Sequence, residues 1–314
     1  MLKTPVLFMI FNRPDVTQQV FAEIRKAKPK QLFIAADGAR EHKAGEKEKC
    51  EETRKIVVDN IDWDCEVKTL FREKNLGCKY AVSGAISWFF DNVEEGIILE
   101  DDCVPHQSFF NFCGELLEKY RDNQKVMHIG SNYFNQHKTN ITDSYYFSHY
   151  IEIWGWATWR RAWELYDPEM KNFGEMRKKD FLKDVFKTAD EKEYWVKCFD
   201  TALEKNIDTW DYQWVYCICA NKGVVITPYT NLVSNVGFRE DATHTTLLNE
   251  VFSNVKAHSI SEIKHPKKIE IAYDEDKLTF KRTHQKQEHF LKSIAKRVTP
   301  RFVVNTVRKL RSNK

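Results

Sequence analysis

Gly96-Ile97-Ile98-Leu99-Glu100-Asp101-Asp102-Cys103 is the stretch that decides the fold class. Its first half is a short apolar run typical of a buried strand, and three carboxylates follow where that strand leaves its sheet. Unpaired carboxylates are costly to bury, so a bound cation would compensate their charge. A solvated acidic turn is the alternative, and the position directly after a buried strand favours the cation.

The chain before this stretch alternates between strands and helices. We expect strands at 6–11, 31–36, 65–70 and 96–99, and helices at 15–27, 46–60 and 79–92. Asp15 with Gln18 three residues later predicts a capping box at the first helix. This alternation predicts an α/β fold, with a mainly parallel sheet flanked by helices. Ligands bind such sheets beyond the carboxyl ends of the strands. The polar segments there are Asn12-Arg13, Asp37-Gly38, Arg72 to Gly77 and Glu100 to Asp102.

Composition and charge limit the class of protein. The 314 residues are 42% hydrophobic, which suits one large domain with an ample core. The apolar runs are too short to span a bilayer, no signal peptide is evident, and no CxxC occurs among the eight cysteines. We therefore expect free thiols and a cytoplasmic location.

The net charge of +3 hides an asymmetry between the body of the chain and its tail. Eleven basic residues and one acid lie from position 281 onward, whereas residues 1–280 are net acidic. An acidic body argues against a nucleic-acid enzyme with a basic groove. The tail also carries spaced apolar residues from Phe290 onward, which predicts a basic amphipathic helix on an anionic membrane surface, or alternatively a solvated terminal helix.

The second half of the chain is less regular. Tryptophans cluster at 154, 156, 159 and 163, and we expect helices at 191–205 and 211–221 and a strand at 224–227. Some of these tryptophans belong to the core, whereas others can stack on sugar rings. The aromatic loops therefore predict a surface that binds a saccharide acceptor.

Taken together, these motifs resemble the GT-A (Rossmann-like) nucleotide-diphospho-sugar transferases, in scattered segments over residues 5–245. Glu100-Asp101-Asp102 is similar to the D-x-D-type motif of that family, and its Glu-Asp-Asp form resembles the N-acetylglucosaminyltransferase that begins complex N-glycan branching. The overall likeness is to bacterial glycosyltransferases of surface-polysaccharide type. The other segments that carry the resemblance are Phe11-Asn12-Arg13-Pro14, Ala36-Asp37-Gly38, Arg72, Asn75-Leu76-Gly77-Cys78, Trp154 to Trp159 and Trp210 to Trp214.

The resemblance implies roles for individual donor-site residues. Asp102 would bind Mn²⁺ or Mg²⁺, and Asp101 would contact the ribose or the surroundings of the metal. Asp37 would hydrogen-bond the base, and Arg72 would face the diphosphate, unless it is a surface charge beside Glu73. The remaining members of the expected donor site are Phe11, Asn12, Arg13, Asn75 and Gly77.

Further roles fall in the second half. His244 would complete the metal site, although a loop histidine is often simply exposed. Asp211 would be the general base of an inverting transfer, with a structural N-cap as its alternative role and Glu152, Asp208 and Asp200 as competitors. Trp154, Gly155 and Trp156 would contact the acceptor.

We therefore expect a GT-A domain over residues 1–250, with a nucleotide-sugar half (1–105) and an acceptor half (106–250). Residues 251–314 would be an extension ending in the basic tail. The expected reaction moves a sugar from a nucleotide-diphosphate donor, UDP by family expectation, to a hydroxyl of a surface glycan or lipid-linked saccharide. A sugar nucleotidyltransferase is the alternative enzyme, although it normally carries a glycine-rich loop after the first strand and residues 12–15 contain no glycine. A non-catalytic carbohydrate-binding protein is the third alternative.

Overall fold

Strands and helices alternate through the first hundred residues of the protein. The computed structural model describes residues 1–135, 142–204, 207–238, 252 and 255–285. The first-half elements are β1 (Val6–Ile10), α1 (Pro14–Ala27), β2 (Gln31–Ala36), α2 (Glu46–Val58), β3 (Glu66–Phe71), α3 (Gly77–Phe90) and β4 (Glu95–Glu100). These four strands are mutually parallel in the order β3-β2-β1-β4. All four expected strands and all three expected helices are confirmed, with small differences at their ends.

The start of α1 differs from expectation. The helix begins at Pro14, and Asp15 lies inside its first turn, so no capping box forms. Arg13 occupies the N-cap position, and its side chain makes no capping hydrogen bond. Proline at the first helical position already has the required φ and has no N–H group to satisfy, so it begins the helix without a cap.

The second half adds four strands to the same sheet. Its elements are β5 (Cys103–Pro105), α4 (Gln107–Tyr120), β6 (Val126–Ile129), β7 (Tyr145–Ser148), β8 (Trp156–Trp159), α5 (Arg160–Trp163), α6 (Phe173–Lys178), a 3₁₀ helix (Phe181–Asp184), α7 (Ala189–Glu204), α8 (Asp211–Ala220), β9 (Val224–Pro228), β10 (Val233–Asn235), α9 (Tyr273–Thr279) and a π-helix (Phe280–Gln285). Within the described residues, the sheet continues from β4 as β8-β6-β9-β7, and β10 pairs separately with β5. The fold is α/β, with a large central sheet whose first four strands are parallel and which is flanked by helices.

Alternate residues of the buried strands supply the two cores. Val6 and Phe8 of β1 pack in the cluster formed with α1 and α4, whereas Leu7 and Met9 pack in the cluster formed with α3 and α8. This alternation is the two-residue period of a strand that is covered on both faces. A third cluster joins α7 and α8 with Phe280 of the π-helix.

The described part of the predicted extension, residues 255–285, packs on the second half. Lys264 N–H donates to the hydroxyl of Ser144 at 2.9 Å, and Ile271 forms an isolated bridge with Phe147 of β7. Asp276 of α9 is buried and accepts a hydrogen bond from Ser148 at 2.5 Å. The boundary expected at residue 250 stays a prediction, and the basic tail lies outside the described residues from position 286 onward.

Among the residues described, no helix is both long and apolar enough to cross a membrane. All eight cysteines fall in the described ranges, and none of them forms a disulfide.

Candidate active site at the carboxyl edge of the sheet

A cavity of about 350 Å³ opens at the carboxyl ends of β1, β2 and β4. Its lining joins Asp37 and Arg72 from the first-half loops, Asp101 and Asp102 after β4, and Asp211 at the start of α8. Parallel strands end at the same edge of a sheet, so loops separated along the chain meet there. The volume lies within the range of small-molecule sites.

One wall of the cavity is formed by the loops after β2 and β3, which hold each other. The Asp37 carboxylate accepts a hydrogen bond from the backbone N–H of Leu76, at 3.0 and 3.1 Å from its two oxygens. Asn75 donates from its side chain to the carbonyl of Gly38 at 2.8 Å. Gly38 has no room for a side chain, because a Cβ there would meet the backbone of Glu73 and Lys74. The two loops are therefore fixed before any ligand binds.

Arg54 of α2 ties the same two loops together from behind. Its guanidinium donates to the carbonyls of Asp37 and Arg72 at 2.9 and 2.8 Å and lies over the ring of Phe71. Sequence reasoning missed this residue, because an arginine inside a charged helix carries no signal that it points inward.

Burial shifts the pKa values of Asp37 and Arg72, the two charged groups of this wall, in opposite directions. Burial raises the pKa of Asp37, while hydrogen bonds and Arg72 act against the rise. Burial also lowers the pKa of Arg72, and Asp37 partly offsets that fall. Arg72 lines the cavity and donates to the carbonyl of Ala81 at 3.2 Å. Its guanidinium therefore has further N–H groups with which to meet an anionic ligand.

The side chains of the loop after β1 point in two directions, some into the cavity and one into the protein interior. Phe11 and Arg13 line the cavity, whereas Asn12 donates to the buried carboxylate of Glu46 at 2.9 Å. Arg40 also pairs with Glu46 at 2.5 Å, and this hydrogen bond is the main cause that lowers the pKa of Glu46 to about 2. The structure thus gives Asn12 a partner inside the protein rather than a place on the cavity wall. Glu46 was missed from the sequence.

The carboxylates after β4 are paired with an arginine. Arg13 forms ion pairs with Asp101 and, at 3.0 Å, with Asp102. Burial opposes the charged form of Arg13, but the attraction of both aspartates outweighs it, and the pKa of Arg13 is raised. Burial, followed by the charges of Asp102 and Asp101, raises the pKa of Glu100. The triplet is therefore enclosed and not a solvated acidic turn.

These residues fit a divalent cation only in part. The Oδ2 atom of Asp101 is buried without a hydrogen-bond partner, which is the kind of atom that a cation would satisfy. Among the described residues, however, no three histidine, cysteine, aspartate or glutamate side chains converge as a metal site. Mg²⁺ and Mn²⁺ accept one or two carboxylates when substrate phosphates supply further oxygens. Asp102 therefore fits a cation that arrives with a diphosphate. His244 lies outside the described residues.

The opposite wall comes from the second half. Asp208 accepts hydrogen bonds from the backbone N–H groups of Cys78 and Lys79 at 2.9 and 2.7 Å, which caps α3 from 130 residues away. Gly77 has a φ of +77°, and a Cβ there would lie 2.7 Å from the Asp208 carboxylate. Glycine is thus required both by the backbone and by the close approach of Asp208.

Asp211 is the first residue of α8 and lines the cavity three residues after Asp208. Its Oδ1 accepts hydrogen bonds from the hydroxyl of Thr209 and, at 2.9 Å, from the N–H of Tyr212. Trp210 occupies the N-cap position, so Asp211 is not the helix cap.

The three competitors for the role of base are placed differently. Asp208 lines the cavity, but its two oxygens accept the backbone donors of α3. Asp200 pairs with Arg177 at 2.6 Å away from the cavity lining. Glu152 also lies outside the lining, and burial raises its pKa well above the usual range.

The expected acceptor residues separate into a wall residue and core residues. Trp154 is half-buried, lines the cavity and packs edge-on against Phe238. Gly155 is buried at a φ of +73°, a conformation that favours glycine. The prediction that Trp156 binds the acceptor is wrong, because its side chain is 0% exposed and stacks on Trp210 at 5.6 Å within the core.

Comparisons with known proteins leave the family open. No protein-family model and no curated protein matches the chain. The structure is similar to HddC from Yersinia pseudotuberculosis at 10% identity and a TM-score of 0.32, covering 50% of this chain and 77% of that one. It is similar to the glycosyltransferase GlyE of Streptococcus pneumoniae TIGR4 at 8% identity and a TM-score of 0.34, covering 72% of this chain and 45% of that one. It is also similar to a UDP-glucose pyrophosphorylase complexed with UDP-glucose at 13% identity and a TM-score of 0.26, covering 47% of this chain and 63% of that one.

Proposed function

We propose that this protein is a glycosyltransferase that moves a sugar from a nucleotide-diphosphate donor to an acceptor hydroxyl. The donor that we propose is a UDP-sugar. The observation that carries the proposal is that one cavity is lined by Arg72, by the pair Asp101 and Asp102, and by Asp211 from the other half of the chain. Sugar transfer needs all three: a cation for the diphosphate, an acidic group for its metal, and a base for the acceptor.

The donor would lie along the first-half wall. Asp37 would accept a hydrogen bond from the nucleotide base, and Arg72, which lines the cavity, would meet the diphosphate with guanidinium N–H groups that do not donate to Ala81. Because the loops of this wall are already held by Arg54 and by each other, little ordering would be needed when the donor binds. Asp101 and Asp102 would lie at the diphosphate end.

A divalent cation, Mn²⁺ or Mg²⁺, would be held by Asp102 and the diphosphate. Its chemistry is to neutralise the charge that develops on the leaving group. Asp211 lies on the wall that the second half contributes, and in an inverting transfer it would take the proton of the acceptor hydroxyl. Trp154, beside the cavity, would contact the acceptor saccharide.

The proposal extends to the place in the cell where the enzyme works. A cytoplasmic enzyme with a basic tail would work against the inner face of the cell membrane, where lipid-linked saccharides and precursors of surface glycans are the natural acceptors. The eleven basic residues from position 281 onward motivate this placement.

Product analysis tests the reaction class directly. The purified protein is incubated with Mn²⁺ and a panel of nucleotide-diphosphate sugars, and in parallel with nucleoside triphosphates and sugar 1-phosphates. We expect slow release of a nucleoside diphosphate from the first set and no pyrophosphate from the second. Pyrophosphate formation would instead assign a sugar nucleotidyltransferase, and no turnover together with no nucleotide binding would leave a carbohydrate-binding protein.

A further inference from the structure

Arg13 lies where the proposed function requires a metal ion. Its guanidinium contacts Asp101 and Asp102 together, and the three side chains are only 24%, 6% and 16% exposed. Such a shielded contact is held more strongly than a surface ion pair. Within the part of the chain that the structure describes, Arg13 is the cation that both carboxylates contact.

The other sides of Asp102 leave little room for a second cation. The thiol of Cys103 lies 3.4 Å from its Oδ1 atom, and Val236 N–H donates to its backbone carbonyl at 2.9 Å. Gly237 packs so closely that a Cβ at that position would clash with the Asp102 carboxylate. The flexible side chain of Arg13 is therefore the element that can move aside.

We propose that Arg13 is a built-in counter-cation that excludes the divalent metal from Asp102 until a nucleotide diphosphate arrives, and then transfers its contacts to the diphosphate. The inference rests on the proposed function and adds an order of binding to it: the cation and the diphosphate enter together. Arg13 thereby acts as a positioning residue for the donor.

The energetics favour this order. Bare Mn²⁺ would have to displace a guanidinium that is enclosed by the protein, leaving that charge without a partner. A diphosphate that enters with the metal offers the displaced guanidinium new oxygens in the planar geometry that arginine prefers. Metal and nucleotide then strengthen each other's binding by the same factor, typically about 5–150-fold for coupled sites.

Mn²⁺ titration without nucleotide, followed by electron paramagnetic resonance, tests the exclusion. We expect weak binding to the wild type and to Arg13→Lys, which keeps the charge, and binding about 5–150-fold tighter to Arg13→Gln. Arg40→Gln is the matched control, because it removes another cavity arginine that is paired with a carboxylate, Glu46; it should bind Mn²⁺ as the wild type does. Adding Asp102→Asn to Arg13→Gln should abolish the gain. Equal Mn²⁺ affinity of Arg13→Gln and the wild type would overturn the inference.

A second measurement needs no variant. The Mn²⁺ affinity of the wild type is measured with and without saturating UDP, and the UDP affinity with and without Mn²⁺. We expect both affinities to rise by the same factor. UDP and Mn²⁺ that bind independently would overturn the inference together with the joint metal site, and would leave only the nucleotide-diphosphate binding of the proposed function, whereas failure of any nucleotide diphosphate to bind would contradict the proposed function itself.

Discussion

The two walls of the cavity are built in different ways. The first-half wall consists of short loops after β2 and β3, which are locked to each other by Asn75, Leu76 and Arg54. The second-half wall is a turn at the start of α8, held against α3 by Asp208 across 130 residues of sequence. Binding and chemistry are thus carried by separate parts of the chain, and mutations in the two walls should have separable effects.

The largest effect on the reaction is expected from the second-half wall. Asp211→Asn keeps the shape and the hydrogen-bonding oxygen but removes the basicity, so transfer should fall by roughly 10²–10⁴-fold. Donor affinity should change little, because Asp211 lies on the other wall from Asp37 and Arg72. Steady-state kinetics and a donor titration measure both quantities. Asp200→Asn, at an exposed ion pair, is the control. Near-wild-type turnover of Asp211→Asn would remove it from the role of base.

Substitutions in the first-half wall should change the affinity for the donor but not the rate of transfer at saturating donor. Arg72→Gln removes a charged donor at the expected diphosphate site, and such contacts contribute about 1.5–3 kcal/mol, or roughly 10–100-fold in Kd. The rate at saturating donor should stay close to that of the wild type. Isothermal titration with UDP and Mn²⁺ measures the loss, with Arg177→Gln as a control far from the cavity. If Arg72→Gln instead lowered the rate at saturating donor without changing Kd, Arg72 would act in the chemical step and not in donor binding.

The packing beneath the second-half wall should make stability depend on pH. His128 is fully buried; its Nδ1 accepts from the indole of Trp214 in α8 at 3.2 Å, and its Nε2 contacts the carbonyl of Glu152 at 3.0 Å. The pairing requires a neutral ring, and burial lowers the pKa of His128 to about 3 from 6.5. The unfolded chain therefore binds the extra proton, and stability is lost as the pH falls below 6.5.

At pH 5 the loss from this histidine amounts to about 2 kcal/mol. Urea unfolding at pH 7.5 and pH 5 measures it. His128→Gln, which cannot take up a proton, should show a shallower fall over the same interval even though its absolute stability is lower. Parallel pH profiles for the two proteins would show that His128 does not contribute.

Removal of the basic tail should change neither donor binding nor sugar transfer in the cavity. Deletion of residues 287–314 should preserve transfer to a soluble acceptor and weaken binding to anionic liposomes, since each basic residue near such a surface contributes about 1 kcal/mol. Liposome flotation at low and high salt measures the binding, which salt should weaken. A full-length protein that ignores anionic liposomes at low salt would contradict the membrane assignment.

The two halves of the chain also differ in how well their structure could be predicted from the sequence. The first-half strands are apolar runs separated by helices of clear period, so the elements and the loops that line the cavity follow from local pattern. Gln31–Ala36 was expected at its observed limits. The strands at Val126–Ile129 and Tyr145–Ser148 were missed, because they are short and sit in an aromatic-rich region without regular alternation.

Individual side chains of the site were harder to predict than the loops that carry them. Asn12 and Arg13 are neighbours, but one turns inward to Glu46 and the other to the aspartate pair. Trp154 and Trp156 are two residues apart and would share one face of a regular strand, but Gly155 between them has a φ of +73°, so Trp154 reaches the cavity while Trp156 enters the core. Asp208 and Arg54 act through contacts with backbone distant in sequence, which no local pattern reveals.

The central claim is that a nucleotide diphosphate binds this cavity together with a divalent cation through Asp102. Thermal unfolding of wild type and Asp102→Ala, with UDP in the presence of Mn²⁺ or of excess chelator, tests it most directly. At a hundredfold excess over Kd, UDP with Mn²⁺ should stabilise the wild type by about 2.7 kcal/mol, raising its Tm. Chelator or the Asp102→Ala substitution should remove most of that shift. Equal stabilisation by UDP in chelator, or an undiminished Mn²⁺-dependent shift in Asp102→Ala, would contradict the account.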